Sequence, residues 1–97
     1  MEYHELESAV AQLDGELATI RHRGDPTREF LAEIEYFAER DGVGYVYLFL
    51  VDQRTFAFAE GLARLKVADI IDLRKSGIPV ENCSTPVPQT PERGQGQ

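Results

Sequence analysis

GYVYLFLVDQRTFAFAE, residues 44–60, holds most of the aromatic residues of this chain and decides how its apolar side chains can pack. The first half alternates between two apolar sets, Tyr45, Tyr47, Phe49 and Val51 on one face and Val46, Leu48 and Leu50 on the other. Aromatic and β-branched residues favour extended backbone, so residues 45–51 are predicted to form a strand. A strand with two apolar faces needs cover on both.

The residues after this strand favour a β-hairpin. We predict a turn at residues 52–55 and a returning strand that sets Phe56 opposite Val51 and Phe58 opposite Phe49. One face of the hairpin is then aromatic and needs a helix or a second subunit as cover. A competing interpretation has one buried strand, a long helix over residues 54–76 and a second strand over residues 78–83.

The residues before this stretch have the apolar spacing of helices. A first helix is predicted from Tyr3 to Arg23, on a seam that steps by four, three, four and three residues through Leu6, Val10, Leu13, Leu17 and Ile20. Gly15 interrupts this helix at a cost of about 1 kcal/mol relative to alanine.

A second helix is predicted from Pro26 to about Arg40. Gly24 and Asp25 supply a stop and an N-cap, and Asp41-Gly42 ends the helix. Its apolar face collects Phe30, Leu31, Ile34, Phe37 and Ala38. The first two helices are therefore expected to form an antiparallel helical hairpin.

A third helix is predicted over residues 62–76, with a broad apolar arc that ends before Gly77 and Pro79. Residues 84–97, STPVPQTPERGQGQ, carry three prolines and two glycines and are predicted to be a disordered tail. The expected fold class is α+β: an N-terminal helical hairpin, a β-hairpin and a third helix in one small domain over residues 1–83, followed by that tail.

Composition restricts the partners. The net charge is −7, and residues 1–41 hold 11 acidic against 4 basic side chains. This balance disfavours nucleic-acid phosphates and favours a protein partner with a basic surface. No apolar run reaches the roughly 18 residues of a membrane helix, and the N-terminal residues MEYHELESAV are acidic and do not resemble the basic start of a signal peptide, so a cytoplasmic protein without membrane contact is expected.

Catalytic and metal-binding patterns are missing from the sequence. It has no phosphate-binding loop and no nucleophile elbow, and Cys83 has no His or Lys beside it in sequence. His4 and His22 would lie about 27 Å apart on a continuous first helix at 1.5 Å per residue. We therefore expect no enzyme activity, no metal and no cofactor.

The remaining hypothesis is a small protein–protein interaction module, an adaptor, inhibitor or regulator that forms a homodimer. Its contacts are expected on an acidic face of the second helix or on the aromatic sheet face. The candidate partner-binding residues are Glu29, Glu33, Glu35, Glu39, Tyr45, Tyr47, Phe49, Phe56 and Phe58. For the acids, a solvated surface is the alternative interpretation.

A DNA-binding regulator is the alternative function. It would use the helix over residues 62–76, which carries Arg64, Lys66, Arg74 and Lys75. Asp69 and Asp72 interrupt this basic run, so a continuous basic stripe is not expected.

Overall fold

The computed structural model describes residues 1–83, so the predicted disordered tail lies outside the described residues. The described chain contains one α-helix and a five-stranded antiparallel sheet with the strand order β4-β3-β2-β1-β5. The elements are α1 (Tyr3–Ala11), β1 (Glu16–His22), β2 (Asp25–Arg40), β3 (Val43–Val51), β4 (Ala63–Lys66) and β5 (Ile70–Pro79), with 3₁₀ turns at Val67–Asp69 and Val80–Asn82. The predicted helical hairpin and third helix are wrong.

The first predicted helix divides into a helix and a strand. α1 ends at Ala11, and the chain reverses through Asp14 and Gly15, whose φ angles are +52° and +83°. Two consecutive left-handed residues cannot belong to a right-handed helix. Leu17 and Ile20 then lie on opposite faces of β1, in two different buried clusters, although their spacing resembles a helical seam. Within residues 1–83, no helix is long and apolar enough to cross a membrane.

The second predicted helix is the 16-residue strand β2. Ile34 pairs with Leu48 and Tyr36 pairs with Tyr47, so Glu35 is the extra residue of a β-bulge. The bulge shifts the two-residue alternation by one position. As a result Phe30, Ile34 and Phe37 share one sheet face at spacings of four and three, the spacing that indicated a helix.

The turn between β2 and β3 is Asp41-Gly42, which the sequence interpretation took as a helix end. Both residues have positive φ angles, +52° and +80°, as in a two-residue type I′ hairpin turn. The turn pairs Arg40 with Val43 and so sets the register of the neighbouring residues.

The third predicted helix is also wrong, because residues 62–76 span β4, a 3₁₀ turn and most of β5. Val67, Ile70 and Leu73 are buried at three-residue spacing because the turn and the strand present them to the same core. The DNA-binding helix of the alternative function and the long helix over residues 54–76 are therefore contradicted.

The strand predicted over residues 45–51 is confirmed as part of β3, but the predicted pairing of the returning segment is off by two residues. Val51 forms an isolated bridge with Phe58, whereas Phe56 was expected opposite it. Phe56 has a φ angle of +57° and belongs to the loop. The chain pairs regularly with β3 only from Ala63 onward, in β4.

The main core lies between α1 and one face of the sheet. Leu6 from α1 is fully buried against side chains from β1, β3 and β5. Tyr3 packs edge-on against Phe37, with ring centroids 5.5 Å apart, and lies over Gly44. A Cβ atom on Gly44 would lie 2.6 Å from Tyr3 Cδ2, so glycine provides the space for this ring. The opposite sheet face has a smaller buried cluster at one end, Leu17, Leu31 and Val51, covered by Phe56, Phe58, Ile78, Val80 and Cys83.

Candidate functional site

Aromatic and basic side chains form rows across three neighbouring strands, on the sheet face opposite α1. One row runs Tyr36, Tyr47 and Arg64 across β2, β3 and β4, and the next runs Ala38, Tyr45 and Lys66. Paired residues in adjacent strands project to the same side, so these side chains form one surface. We call this surface the tyrosine face: Tyr36, Tyr45, Tyr47, Phe49, Arg64 and Lys66.

Contacts within the tyrosine face restrain the conformations of its side chains. The rings of Tyr36 and Tyr47 stack with centroids 4.5 Å apart and planes 17° apart. Arg64 Cζ lies 4.5 Å from the centroid of the Tyr45 ring, a cation–π contact. These contacts restrict the rotamers of four large side chains before any partner arrives, which lowers the entropic cost of binding.

The tyrosine face is accessible in the described chain. Tyr36 is 51% exposed, and Tyr45, Tyr47 and Phe49 are half-buried. None of the four belongs to either buried cluster, because α1 packs on the other side of the sheet.

Two of the predicted aromatic contacts have a different environment. Phe56 and Phe58 pack on the smaller buried cluster, at the end of the sheet face. Phe58 touches the tyrosine face only through Phe49, with ring centroids 6.3 Å apart. Three of the five predicted aromatic residues, Tyr45, Tyr47 and Phe49, are therefore brought together on the accessible surface.

Sequence reasoning did not include Tyr36, Arg64 or Lys66 among the partner-binding residues, although Arg64 and Lys66 were considered for the DNA-binding alternative. The signal for Tyr36 was the Asp41-Gly42 dipeptide, a strong hairpin signal between extended segments. Counting outward from that two-residue turn pairs Tyr36 with Tyr47. The position of Arg64 depends on the β3–β4 pairing, which the long loop between these strands does not reveal.

The predicted acidic helical face does not exist, because its four glutamates lie on β2 in different environments. Glu29 forms an ion pair with Arg74, which also pairs with Asp72. Glu33 lies opposite Phe49 beside the tyrosine face, Glu35 occupies the bulge, and Glu39 lies opposite Gly44.

Burial perturbs the ionisation of Glu33. Partial desolvation raises the pKa of Glu33, and the nearby Glu35 carboxylate raises it further through its charge and a hydrogen bond. Burial, and then the charge of Glu33, also raises the pKa of the Cys83 thiol. A thiol with a raised pKa is a poor nucleophile, which agrees with a structural position for Cys83.

A second concave region lies at the helix-free end of the sheet, between the loop after β3 and the first half of β2. We call it the arginine cleft. It has a volume of about 650 Å³, and its walls include Arg28, Phe30, Leu50, Arg54, Thr55 and Ala59. A narrow apolar pocket of about 60 Å³ adjoins it and shares Phe30 and Leu50, with Ile20, His22, Leu48, Ala63 and Leu65 as its other walls.

The two histidines occupy separate places. His4 is exposed on α1 near Glu2, and His22 stacks on Phe30 with ring centroids 5.2 Å apart. The predicted 27 Å separation assumed a continuous helix and therefore no longer applies. Among residues 1–83, no group of three or more His, Cys, Asp or Glu side chains could hold a metal ion.

Comparison of the chain with protein-family models, with curated proteins and with solved structures finds no match.

Proposed function

We propose that this chain is a protein–protein interaction module that acts as a homodimer through its tyrosine face. The observation that carries the proposal is the stacked Tyr36–Tyr47 pair beside the Tyr45–Arg64 contact on an accessible sheet face. Tyrosine and arginine are enriched among the residues that dominate binding energy in protein interfaces. The chain is also small, and small cores are commonly stabilised by association.

The charges beside these rings favour a second copy of the chain as the partner. Arg64 and Lys66 lie on β4, on one side of β3, and Glu33 lies on β2, on the other side. A two-fold axis along β3 sets β2 of one copy over β4 of the other. Glu33 of each copy then approaches Arg64 of its partner, so the surface is complementary to itself.

A protein partner suits this surface better than single-stranded nucleic acid. Base recognition on a sheet needs free aromatic ring faces on which the bases stack. Tyr36 and Tyr47 each cover one ring face of the other, and Arg64 covers one ring face of Tyr45, which reduces the ring area open to bases. Glu33 beside these rings and the net charge of −7 repel phosphates further.

The proposed location is the cytoplasm. Cys83 is a free, half-buried thiol. A reducing compartment keeps such a thiol unpaired.

Sedimentation equilibrium of the full chain tests the homodimer. The wild type is expected to dimerise, and Arg64→Glu and Glu33→Arg are each expected to weaken dimerisation by at least about tenfold. The double variant R64E/E33R restores the charge pair in reversed order and is expected to recover most of the affinity.

Lys75→Glu is the matched control for this experiment. Like Arg64→Glu, it replaces a positive side chain by a negative one, but on β5 and on the α1 side of the sheet. Lys75 Nζ lies there 3.9 Å from Glu16 Oε2. Dimerisation of this variant should equal that of the wild type. A wild-type chain that stays monomeric at high micromolar concentration, or single charge variants that dimerise normally, would exclude the proposed contact. A gel shift with single-stranded DNA or RNA that Arg64→Glu abolishes would favour the nucleic-acid alternative.

A further inference from the structure

The arginine cleft and the apolar pocket adjoin as one depression on the α1 side of the sheet, and the cleft also extends around the end of the sheet to Leu31, Val51 and Phe58 on the opposite face. Phe30 and Leu50 line both parts. The deep part is almost entirely apolar, with Leu48, Ala63 and Leu65 around it and His22 as its polar residue. α1 covers only the other half of this sheet face, so the depression remains open.

The mouth of this depression is positively charged. Arg28 and Arg54 lie on its rim, and Asp52 is the acidic side chain among its walls. Asp52 Oδ1 already accepts hydrogen bonds from the backbone N–H groups of Thr55 (3.0 Å) and Arg54 (2.8 Å). The bonds from Thr55 and then Arg54 hold the pKa of Asp52 below its ordinary value. The carboxylate therefore stays ionised and shapes the loop.

The two rim arginines differ from the paired arginine of the sheet. Arg74 pairs with both Glu29 and Asp72. Among residues 1–83, neither Arg28 nor Arg54 lies within ion-pair distance of a carboxylate. Besides the hydrogen bonds from Thr55 and Arg54, the charge of Arg54 also contributes to the lowered pKa of Asp52, so one carboxylate partly offsets the two guanidinium groups. The walls still carry an excess of positive charge in a chain with a net charge of −7, which attracts anions locally.

Local contacts position this rim. Arg28 Cζ lies 4.7 Å from the centroid of the Phe30 ring, which orients the flat guanidinium group above the floor of the cleft. The Gln53 side-chain amide donates a hydrogen bond to the backbone carbonyl of Glu29 and so ties the loop to β2. A guanidinium group supported on a ring keeps N–H groups on its edge for two parallel bonds to a carboxylate.

From this combination we infer that the depression binds a small carboxylic acid with an apolar body, such as a medium-chain fatty acid. The apolar body enters the pocket lined by Leu48, Ala63 and Leu65, and the carboxylate meets Arg28 and Arg54. An uncharged molecule would leave the arginines unused, and a small hydrophilic anion would leave the apolar pocket unfilled. The residues that carry this inference, Arg28, Arg54 and the apolar pocket, are not part of the proposed dimer contact, although Phe58 lines the cleft and also packs against Phe49 of the tyrosine face.

The test is a titration of the full ¹⁵N-labelled chain with octanoate, followed by amide chemical shifts. Octanol and octylammonium, which carry the same tail, are the comparison probes. Octanoate is expected to give saturable shifts at the amides of Phe30, Leu50, Thr55 and Ala63. It should bind about tenfold or more tightly than octanol, because each charged hydrogen bond is stronger than a neutral one.

Two variants divide the site into its parts. R28Q/R54Q is expected to reduce octanoate affinity to that of octanol without affecting octanol itself. Ala63→Phe is expected to fill the pocket and abolish binding of both probes, and its amide spectrum shows directly whether the chain is folded. Lys75→Gln, which removes a positive charge outside the cleft, should bind octanoate as the wild type does.

Equal affinities for octanoate and octanol in the wild type would overturn the inference. So would octanoate binding that is unchanged in R28Q/R54Q, or shifts confined to residues outside the cleft. Tighter binding of octylammonium than of octanoate would reverse the assigned charge and would also refute it.

Discussion

Tyr36 stacks on Tyr47 across the β2–β3 pair directly beside a β-bulge at Glu35, which lets Tyr36 and the half-buried Ile34 keep opposite sheet faces. The ring centroids are 4.5 Å apart, and the bulge lies between the Ile34–Leu48 pair and the Tyr36–Tyr47 pair. The hairpin turn sets the register on one side of the bulge, and the buried side chains of the first half of β2 set it on the other. The extra residue reconciles these two registers and keeps both apolar sets on their correct faces.

Deletion of Glu35 should therefore be tolerated. It leaves Ile34 opposite Leu48 and Tyr36 opposite Tyr47, now in a regular ladder, and it removes the carboxylate beside Glu33. Deletion of Ala32 has no such compensation, because every register of the shortened strand turns either apolar residues outward or glutamates inward. We expect the Glu35 deletion to melt within a few degrees of the wild type and the Ala32 deletion to be largely unfolded. Equal losses in thermal melts would show that the bulge does not set the register.

The same bulge explains why one strand was predictable and another was not. β3 lies between β2 and β4, and its seven residues 45–51 alternate without interruption, so its extended backbone and both face sets follow from the sequence. β2 alternates only up to Ile34. The bulge then moves the next inward residue to Phe37 and imitates a helix. A single-sequence pattern cannot separate a bulged strand from a helix unless the turn is interpreted first.

Two turn dipeptides carried the information that would have separated strands from helices in the sequence. Asp14-Gly15 and Asp41-Gly42 each combine two residues with positive φ angles, and both were taken as parts or ends of helices. The candidate surfaces were less accessible to sequence reasoning. Arg64 meets Tyr45, and Phe30 meets Leu50 in the cleft, only through strand pairings between residues about 20 positions apart. Neighbouring residues do not encode such pairings.

The tyrosine stack itself should contribute measurably to stability. Tyr36→Ala, Tyr47→Ala and the double variant form a double-mutant cycle in urea unfolding. We expect a coupling free energy of about 0.5–1.5 kcal/mol, the usual contribution of an aromatic pair. A cycle between Tyr36 and Phe58, whose rings do not form a pair, should give a coupling near zero. A coupling near zero in the first cycle would mean that the stack does not stabilise the sheet.

Glu33 should make stability depend on pH in a defined direction. Its pKa is higher in the folded chain than in the unfolded chain, so the folded state binds more protons between these two values. The contribution of protonated Glu33 to the free energy of unfolding is fully present below the pKa of Glu33 in the unfolded chain. It is lost as pH rises through the pKa of Glu33 in the folded chain. At protein concentrations below the proposed dimerisation, where Glu33 has no Arg64 partner, Glu33→Gln removes this loss and is expected to raise the melting temperature near neutral pH.

Thermal melts from acidic to neutral pH test this expectation. The advantage of Glu33→Gln over the wild type should shrink on acidification, because the wild-type side chain is then also neutral. Glu39→Gln on the same strand is the matched control, since Glu39 is exposed, and it should show no such trend. An advantage of Glu33→Gln that grows at low pH would contradict the assigned direction.

Gly44→Ala should separate α1 from the sheet. The added Cβ atom would lie 2.6 Å from Tyr3 Cδ2 and 3.4 Å from Val67 Cγ2, so the Tyr3 ring must move away from Phe37. We expect a loss of about 1–3 kcal/mol in the free energy of unfolding, as for other overpacked sites. In a Tyr3→Ala background the obstructing ring is absent, and the same substitution should be neutral or stabilising by up to about 1 kcal/mol, because glycine in a strand interior is intrinsically less favourable than alanine.

Gly42→Ala provides the contrast for this rescue. Its φ angle is +80°, and nothing lies within 4 Å of the added Cβ atom, so its cost comes from backbone strain alone. Tyr3→Ala should therefore leave the cost of Gly42→Ala unchanged while it reduces the cost of Gly44→Ala. If Gly44→Ala costs the same free energy of unfolding with and without the Tyr3 ring, the ring does not occupy the space over Gly44. The docking of α1 must then be assigned to Leu6 instead.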